Sequence, residues 1–340
     1  MRKGAMLALL IGCGSVGKKH LAFLISFGYQ VFVVDPNINP SEFKYTPDQA
    51  IFFKRFDHAK TEFNERSKRA QNNLIGVVAN WGPDHMTTIK ALVEIGINKL
   101  LIEKPLVSRL SDLQELQIYE QQGIILWCNY HVRFSSGMKN LLEFQSRHSI
   151  ETPISISVIG GAKCIATNGI HWIDFALQLF KADPVSIQSN IQSQFINPRN
   201  KDLVFLEGYI NCSFKDNKLF YLNYSNKSFS DQIVLVLWEK FIGEIKNGEL
   251  RIFQASNPQF YNRPITRTSS FTDEVLRVDF FDLGMENIYQ AFLQSTSSLS
   301  ELRNANEVLL SALFASKVSK MINLKDPQLN SYKDFDWRIS

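Results

Sequence analysis

Near the amino end, Gly12-Cys13-Gly14-Ser15-Val16-Gly17 fits the pattern G-x-G-x-x-G. Glycines at this spacing permit a tight turn and let backbone N–H groups approach a pyrophosphate, while a following helix N-terminus adds favourable partial charge. The flanking residues suit that use. An apolar run over 5–11 reads as a buried strand, and Val16, Leu21, Leu24 and Ile25 recur at helical spacing before Gly28. Asp35 stands 18 residues past Gly17, where a second short apolar run (31–34) ends. A carboxylate there can accept from both hydroxyls of an adenosine ribose and would repel a 2′-phosphate, so the spacing favours NAD over NADP. The competing pattern, a P-loop, needs Ser or Thr after Gly17-Lys18, and Lys19 occupies that place.

Two further constellations carry chemistry. Glu103-Lys104-Pro105 follows an apolar strand (99–102), and ligands of open parallel sheets bind beyond the carboxyl ends of strands. Lys104 can there reach a substrate hydroxyl or the nicotinamide ribose; a surface lysine in a turn is the plainer reading. Later, Asn168-Gly169-Ile170-His171-Trp172-Ile173-Asp174 opens a helix. Asn168 is a candidate cap, His171 falls in the first turn, and Asp174 lies three residues on, near the same side. Asp174 would orient the imidazole or bridge to another domain. A histidine suits general-base work because its pKa lies near operating pH.

These residues need elements to position them. Over 1–128, apolar strands at 5–11, 31–34, 74–79, 99–103 and 124–128 alternate with helices at 15–27, 60–71, 84–95 and 110–121, the grammar of parallel βαβ units. From about 151 the strands (154–159, 185–191, 203–214, 218–224, 233–239, 241–245) follow one another with short polar turns, indicating a mainly antiparallel sheet. One helix (170–180) interrupts it, and two (287–295 and 300–322) close the chain. The expected architecture is a doubly wound α/β domain over 1–128 and an α+β domain with a large open sheet over 129–340.

Composition narrows the classes. With 340 residues, 45% hydrophobic and 21% charged, the chain suits two globular domains rather than a disordered or fibrous protein. The net charge of +4 comes without a polybasic block, which offers no case for nucleic acid. No apolar run reaches the roughly 20 residues of a membrane span. The start, Met1-Arg2-Lys3 and an apolar stretch ending in Leu10-Ile11-Gly12-Cys13, imitates a secretory leader, but it runs into the glycine motif. Cys13, Cys128, Cys164 and Cys212 are scattered, without CxxC spacing, and read as reduced cytoplasmic thiols, not as a disulfide or zinc framework.

Taken in order, the motifs resemble those of the Gfo/Idh/MocA oxidoreductases, named for glucose-fructose oxidoreductase, inositol dehydrogenase and a rhizopine catabolism protein. The resemblance runs almost end to end: Gly12-x-Gly14-x-x-Gly17-x-x-His20, His85 opening a helix after the third strand, Glu103-Lys104-Pro105, Asn129-x-x-x-Arg133-Phe134, and Gly169-x-His171-x-x-Asp174. It implies a Rossmann domain joined to an open-sheet domain. It also implies NAD(P)-dependent hydride transfer at a hydroxyl or keto group of a sugar, cyclitol or sugar nucleotide. By this resemblance His171 takes the alcohol proton and Lys104 holds the hydroxyl. Gly12, Gly14, Ser15, Val16, Gly17, Asp35, Asn80, Trp81, His85, Glu103 and Lys104 would border the cofactor. Arg133, Lys163, Thr167, Asn168 and His171 would border the substrate. The aromatic-rich sheet strands would pair subunits into a homodimer or homotetramer.

The sequence departs from the pattern in two places. Many members carry Asp four residues before the catalytic histidine, and here Thr167 stands there. Threonine holds no carboxylate charge, so a binding or regulatory protein that has lost catalysis is the alternative reading. The Thr-Pro usual after the third strand is replaced by Asn80-Trp81-Gly82-Pro83; Trp81 would line the nicotinamide side or pack on the sheet. His20 is expected to be structural or to lie beside the ribose, the structural role being favoured. Arg133 would meet an anionic substrate or an ion-pair partner linking domains, and Lys163 would meet the same anion or only solvent.

Overall fold

In a computed structural model, the protein is described at residues 6–68, 74–196, 204–255, 271–299 and 301–339. The expected starts of the first strand (5), the strand at 203 and the helix at 300, and the expected end of the helix at 71, lie outside the described residues, as do the leader-like Met1-Arg2-Lys3. The chain forms two compact units. One comprises Met1–Asn129 with Tyr289–Arg303; the other comprises Tyr130–Ile288 with Asn304–Ile339. The segment Tyr289–Arg303 therefore groups with the first unit although it follows the second along the chain.

The first unit is built on six parallel strands: β1 (Leu7–Ile11), β2 (Gln30–Val34), β3 (Ala50–Phe53), β4 (Leu74–Val78), β5 (Lys99–Ile102) and β6 (Ile125–Cys128). Their order is β3-β2-β1-β4-β5-β6, doubly wound about β1 and β4. Leu7–Leu10 and Val31–Val34 are buried, as continuous apolar strands covered on both faces must be. Helices α1 (Ser15–Ser26), α2 (Phe56–Ser67), α3 (His85–Glu94) and α4 (Leu110–Gln121) make the crossovers. Strand β3 was not anticipated: Ala50-Ile51-Phe52-Phe53 is short and follows a polar stretch, and only pairing with β2 identifies it.

The second unit carries a nine-stranded sheet with the order β14-β13-β12-β11-β7-β10-β9-β8-β15. Its strands are β7 (Ser155–Gly160), β8 (Pro184–Ile196), β9 (Val204–Phe214), β10 (Leu219–Tyr224), β11 (Ile233–Leu237), β12 (Phe241–Lys246), β13 (Glu249–Ala255), β14 (Phe271–Asp279) and β15 (Ile322–Asn323). All neighbours are antiparallel except β7 and β10, which run parallel. Helices α5 (Ser136–Arg147), α6 (Ile170–Phe180), α7 (Gly284–Gln294) and α8 (Leu302–Lys317) complete the chain, with α7 crossing from the second unit into the first. Helix α5 and strands β13 to β15 are additions to the elements expected from sequence. In α6, nine of eleven residues are buried, so it is a core helix rather than an amphipathic surface one. No helix among the described residues is long and apolar enough to cross a membrane.

Candidate active site

Parallel register assembles the first unit's site residues in a row. Ile11 pairs with Val34 and with Val78, Val78 with Ile102, and Ile102 with Cys128. The residues just past these positions are Asp35, Gly12, Asn80, Glu103-Lys104 and Asn129, all at the carboxyl edge of the sheet. The ladder continues one step beyond the strands: Gly12 N–H donates to Val34 O (2.8 Å), Ala79 N–H to Ile11 O (2.7 Å), Glu103 N–H to Val78 O (2.8 Å) and Asn129 N–H to Ile102 O (2.8 Å).

Each motif glycine has its own reason. Gly12 has φ +91°, and a Cβ there would lie 2.5 Å from the carbonyl of Ala79. A Cβ on Gly17 would collide with the carbonyl oxygen of Gly12, so this glycine lets α1 start tight against the loop. A Cβ on Gly14 would meet nothing within 4 Å; this position faces open space. Ser15 and Val16 begin α1, so the N–H groups of its first turn lie beside that opening. Asp35 ties the loop to β2, accepting from Cys13 N–H through Oδ2 (2.7 Å) and from Asn37 N–H through Oδ1 (2.8 Å). Each carboxylate oxygen keeps a second lone pair for a hydroxyl. Burial, with the Asp35 charge beside it, pushes the Cys13 thiol up to about 11, so it stays protonated.

Asn80 donates to Thr88 Oγ1 (2.9 Å), while its buried Oδ1 has no partner among the described residues. Trp81 is exposed at 40%. His85 is fully buried with Nε2 3.1 Å from Asn80 O and Nδ1 3.2 Å from Leu106 O. It clamps the loop after β4 to the loop after β5. Burial holds its pKa below the usual histidine value.

His20 is fully buried, and its partners explain the motif spacing. His20 Nε2 lies 2.9 Å from Glu103 Oε1 and Nδ1 2.6 Å from the Tyr289 hydroxyl, all buried. Asn129 Nδ2 donates to the same Glu103 oxygen (2.5 Å), and Lys104 N–H lies 3.3 Å from Oε2. Burial works to raise the Glu103 pKa, but the hydrogen bond and charge of His20, helped by Lys104 and Asn129, prevail and bring it down to about 2. Facing a carboxylate, Nε2 of His20 must carry a proton. This network joins α1, β5, β6 and α7 and fixes the backbone that presents Lys104, which is half-buried and bonded to Pro105 through a cis peptide.

In the second unit, α6 is entered through a π-helical turn, Ile165–Gly169, closed by Gly169 N–H to Cys164 O (3.3 Å). The wide turn carries Thr167 and Asn168 outward and His171 inward. Asn168 therefore does not cap α6; its Oδ1 accepts from the Thr167 hydroxyl (3.2 Å). Asp174 is held by Arg133. It is fully buried and takes a two-pronged bond from Arg133, Nη2 to Oδ1 at 2.6 Å and Nε to Oδ2 at 3.0 Å. Arg133 thus has its ion partner within its own unit, where it locks the turn His131–Phe134 to α6. Lys163 pairs with Asp231 (2.7 Å), whose pKa that contact lowers. His131, which no motif singles out, stands beside His171 with ring centroids 4.3 Å apart. Among the described residues, no group of three His, Cys, Asp or Glu side chains is placed to hold a metal.

No protein-family model and no curated protein sequence matches the chain. Solved structures do. UDP-N-acetylglucosamine 3-dehydrogenase from Acidithiobacillus ferrooxidans superposes with a TM-score of 0.67 at 14% identity, covering 95% of this chain and 99% of that one. An oxidoreductase from Agrobacterium radiobacter, in complex with NAD+, L-tartaric acid and magnesium, gives 0.66 at 13%, covering 94% and 98%. The super-repressor mutant of Gal80p from Saccharomyces cerevisiae gives 0.68 at 12%, covering 94% and 98%. At these identities the likeness is one of fold: the chain has the two-domain fold of the Gfo/Idh/MocA oxidoreductases, a parallel Rossmann sheet followed by a larger, mainly antiparallel one.

Proposed function

We propose that the chain is a nicotinamide-dependent oxidoreductase that transfers a hydride between NAD and a hydroxyl or keto carbon of a sugar, cyclitol or sugar nucleotide. The observation that carries this reading is the glycine loop. Gly12 and Gly17 are packed to exclude a side chain, Gly14 opens onto free space, and the Asp35 carboxylate is braced at the loop's edge. A dinucleotide fits that cradle: pyrophosphate over Gly14 and the start of α1, and adenosine ribose on Asp35. Asp35 favours NAD over NADP because a 2′-phosphate would meet its charge.

The bound nicotinamide supplies the hydride chemistry. In this reading His171 accepts the alcohol proton and Lys104 stabilises negative charge developing on the oxygen. Thr167, Asn168 and Lys163, on or just before the turn leading into His171, are the candidates for contacting the rest of the substrate. Four free, buried cysteines suit a cytoplasmic enzyme. The open face of the large sheet pairs subunits.

Isothermal calorimetry and thermal shift with NADH and NADPH test the reading. NADH is expected to bind and raise the melting temperature, and NADPH to bind at least tenfold more weakly, a difference of about 1.4 kcal/mol. No effect of either at millimolar concentration rejects it. The fold alone does not make an enzyme, as the repressor shows. A binding or regulatory protein is the second reading, carried by Thr167; NADH production from any sugar alcohol excludes it.

A further inference from the structure

A path of buried polar contacts runs from α7 to Lys104. The Tyr289 hydroxyl lies 2.6 Å from His20 Nδ1, and His20 Nε2 lies 2.9 Å from Glu103 Oε1. The other oxygen of that carboxylate, Oε2, lies 3.3 Å from the backbone N–H of Lys104. Tyr289, His20 and Glu103 are all buried, and all four residues belong to the first unit, although Tyr289 comes long after the others in sequence. The rings around Tyr289 set its place. Phe23 and Phe27, on and just past α1, stack on it with centroids 5.5 and 6.0 Å away, and His20 meets it edge-on at 5.7 Å. A phenylalanine would satisfy this stack equally well; only the contact with His20 needs the hydroxyl.

Burial, with the Glu103 charge nearby, holds the Tyr289 phenol well above its usual pKa, so it keeps its hydrogen. A hydroxyl can donate to Nδ1 or accept from it, so the link persists whichever way the imidazole is protonated, and it turns Nε2 toward Glu103. The segment that carries Tyr289 is anchored by other means as well. At the start of β5, Lys99 Nζ donates to Leu293 O (2.9 Å) and Ser295 O (2.7 Å). On β6, Leu126 N–H donates to Ser298 Oγ (2.9 Å), which donates in turn to Ile124 O (3.1 Å). The segment thus holds β5 at both ends: at Lys99 directly, and at Glu103 through His20. Loss of the hydroxyl alone leaves the Lys99 and Ser298 anchors in place.

We propose that Tyr289 is a positioning residue for Lys104, acting through His20 and Glu103, so that the returning segment Tyr289–Arg303 completes the candidate site of the first unit. Without the hydroxyl, the His20 ring is free to turn. Glu103 then keeps Asn129 but loses its second partner at Oε1, and the backbone at Lys104 loosens. That Lys104 borders a cofactor rests on the oxidoreductase reading above; the path from Tyr289 to Lys104 does not.

Tyr289→Phe in the full chain keeps the ring stack and removes only the hydroxyl. Amide hydrogen exchange, followed by NMR without ligand, is expected to speed about tenfold at Lys104 while exchange in β1 stays as in wild type. Phe27→Leu thins the stack and leaves the hydroxyl; it is expected to lower the melting temperature and leave Lys104 exchange alone. His20→Asn, whose shorter amide can meet Tyr289 but not Glu103, breaks the path one link further on and is expected to speed Lys104 exchange as Tyr289→Phe does. It decides the matter if Tyr289→Phe does not fold. Unchanged exchange at Lys104 overturns the proposal. So does an equal acceleration at Lys104 and throughout β1, which is lost stability alone, or an equal effect of Phe27→Leu, which is lost packing. NADH affinity, measured by calorimetry on the same variants, is a separate readout. It is expected to fall about tenfold wherever Lys104 loosens. Absence of NADH binding in wild type would reject the oxidoreductase reading and leave the exchange result intact.

Discussion

The charged residues of the two units are held by different means, and the difference is measurable at single positions. Glu103 is buried, yet its pKa is about 2 because His20, Lys104 N–H and Asn129 all favour the anion. A folded-state pKa below the unfolded one gives stability that is complete above the unfolded value, about 4.5, and is lost as pH falls from there toward 2. Two and a half pKa units correspond to about 3 kcal/mol. Glu103→Gln keeps an acceptor for His20 but no charge. It is expected to cost about 3 kcal/mol in urea denaturation at pH 7 and much less at pH 3. Equal losses at both values would mean that shape, not ionisation, holds this corner together. Asp174 shows the other arrangement, a carboxylate matched prong for prong by one guanidinium.

At the scale of elements, legibility followed the physical range of the signal. The Rossmann strands were readable because buried parallel strands are continuous apolar runs, and the glycine loop because Gly12 and Gly17 leave no room for a side chain. Strand β3 was not, since four residues acquire strand character only by pairing with β2. Neither was the π-helical turn before α6, because only its 164–169 hydrogen bond reveals the wider path. That turn is why the expected Asn168 cap is not formed. His131 was missed for a related reason: its partner is 40 residues away, and no local spacing joins them. The loop yields a paired prediction. Gly14→Ala places its methyl in open space, so it should leave the melting temperature unchanged while weakening NADH at least tenfold, by about 1.4 kcal/mol. Gly17→Ala drives a methyl into Gly12 O and should destabilise the fold by about 1–3 kcal/mol before any ligand is added. Measuring both in the same thermal-shift and calorimetry series separates roles that the motif makes look alike. Equal NADH affinity for Gly14→Ala and wild type would remove the loop from dinucleotide binding.

For the whole molecule, the sheet of the second unit sets the larger question. Helices account for one face: α6 packs on β10, and α8 meets β8 through Ser189 Oγ to Ala312 O and Ile191 N–H to Ser316 Oγ. The alternation along the central strands gives the opposite face. Val234 and Val236 are buried, whereas Leu235 and Leu237 on β11 are exposed at 38% and 36%. Ile159 of β7 and Leu219 of β10 are also exposed, and Tyr209 and Tyr221 stack on adjacent strands with rings 6.4 Å apart. Exposed apolar side chains gathered on one sheet face suit an interface, and a stable dimer needs roughly 800 Å² per partner. The occupant we expect is a second copy of the same face, because a two-fold axis lets one apolar surface cover itself. Light scattering should then give a mass at least twice the 39.0 kDa of one chain. Leu235→Glu would place two charges in the contact, one from each copy, and should weaken association at least a hundredfold, about 2.7 kcal/mol. Ile118→Glu, an equally large change at an exposed position on α4, should leave the mass alone. If wild type is a monomer at micromolar concentration, or if both variants dissociate it equally, self-pairing through this face is wrong. A monomer that still binds NADH would then show that the first unit's site works without any oligomer, and the sheet's exposed leucines would need another partner.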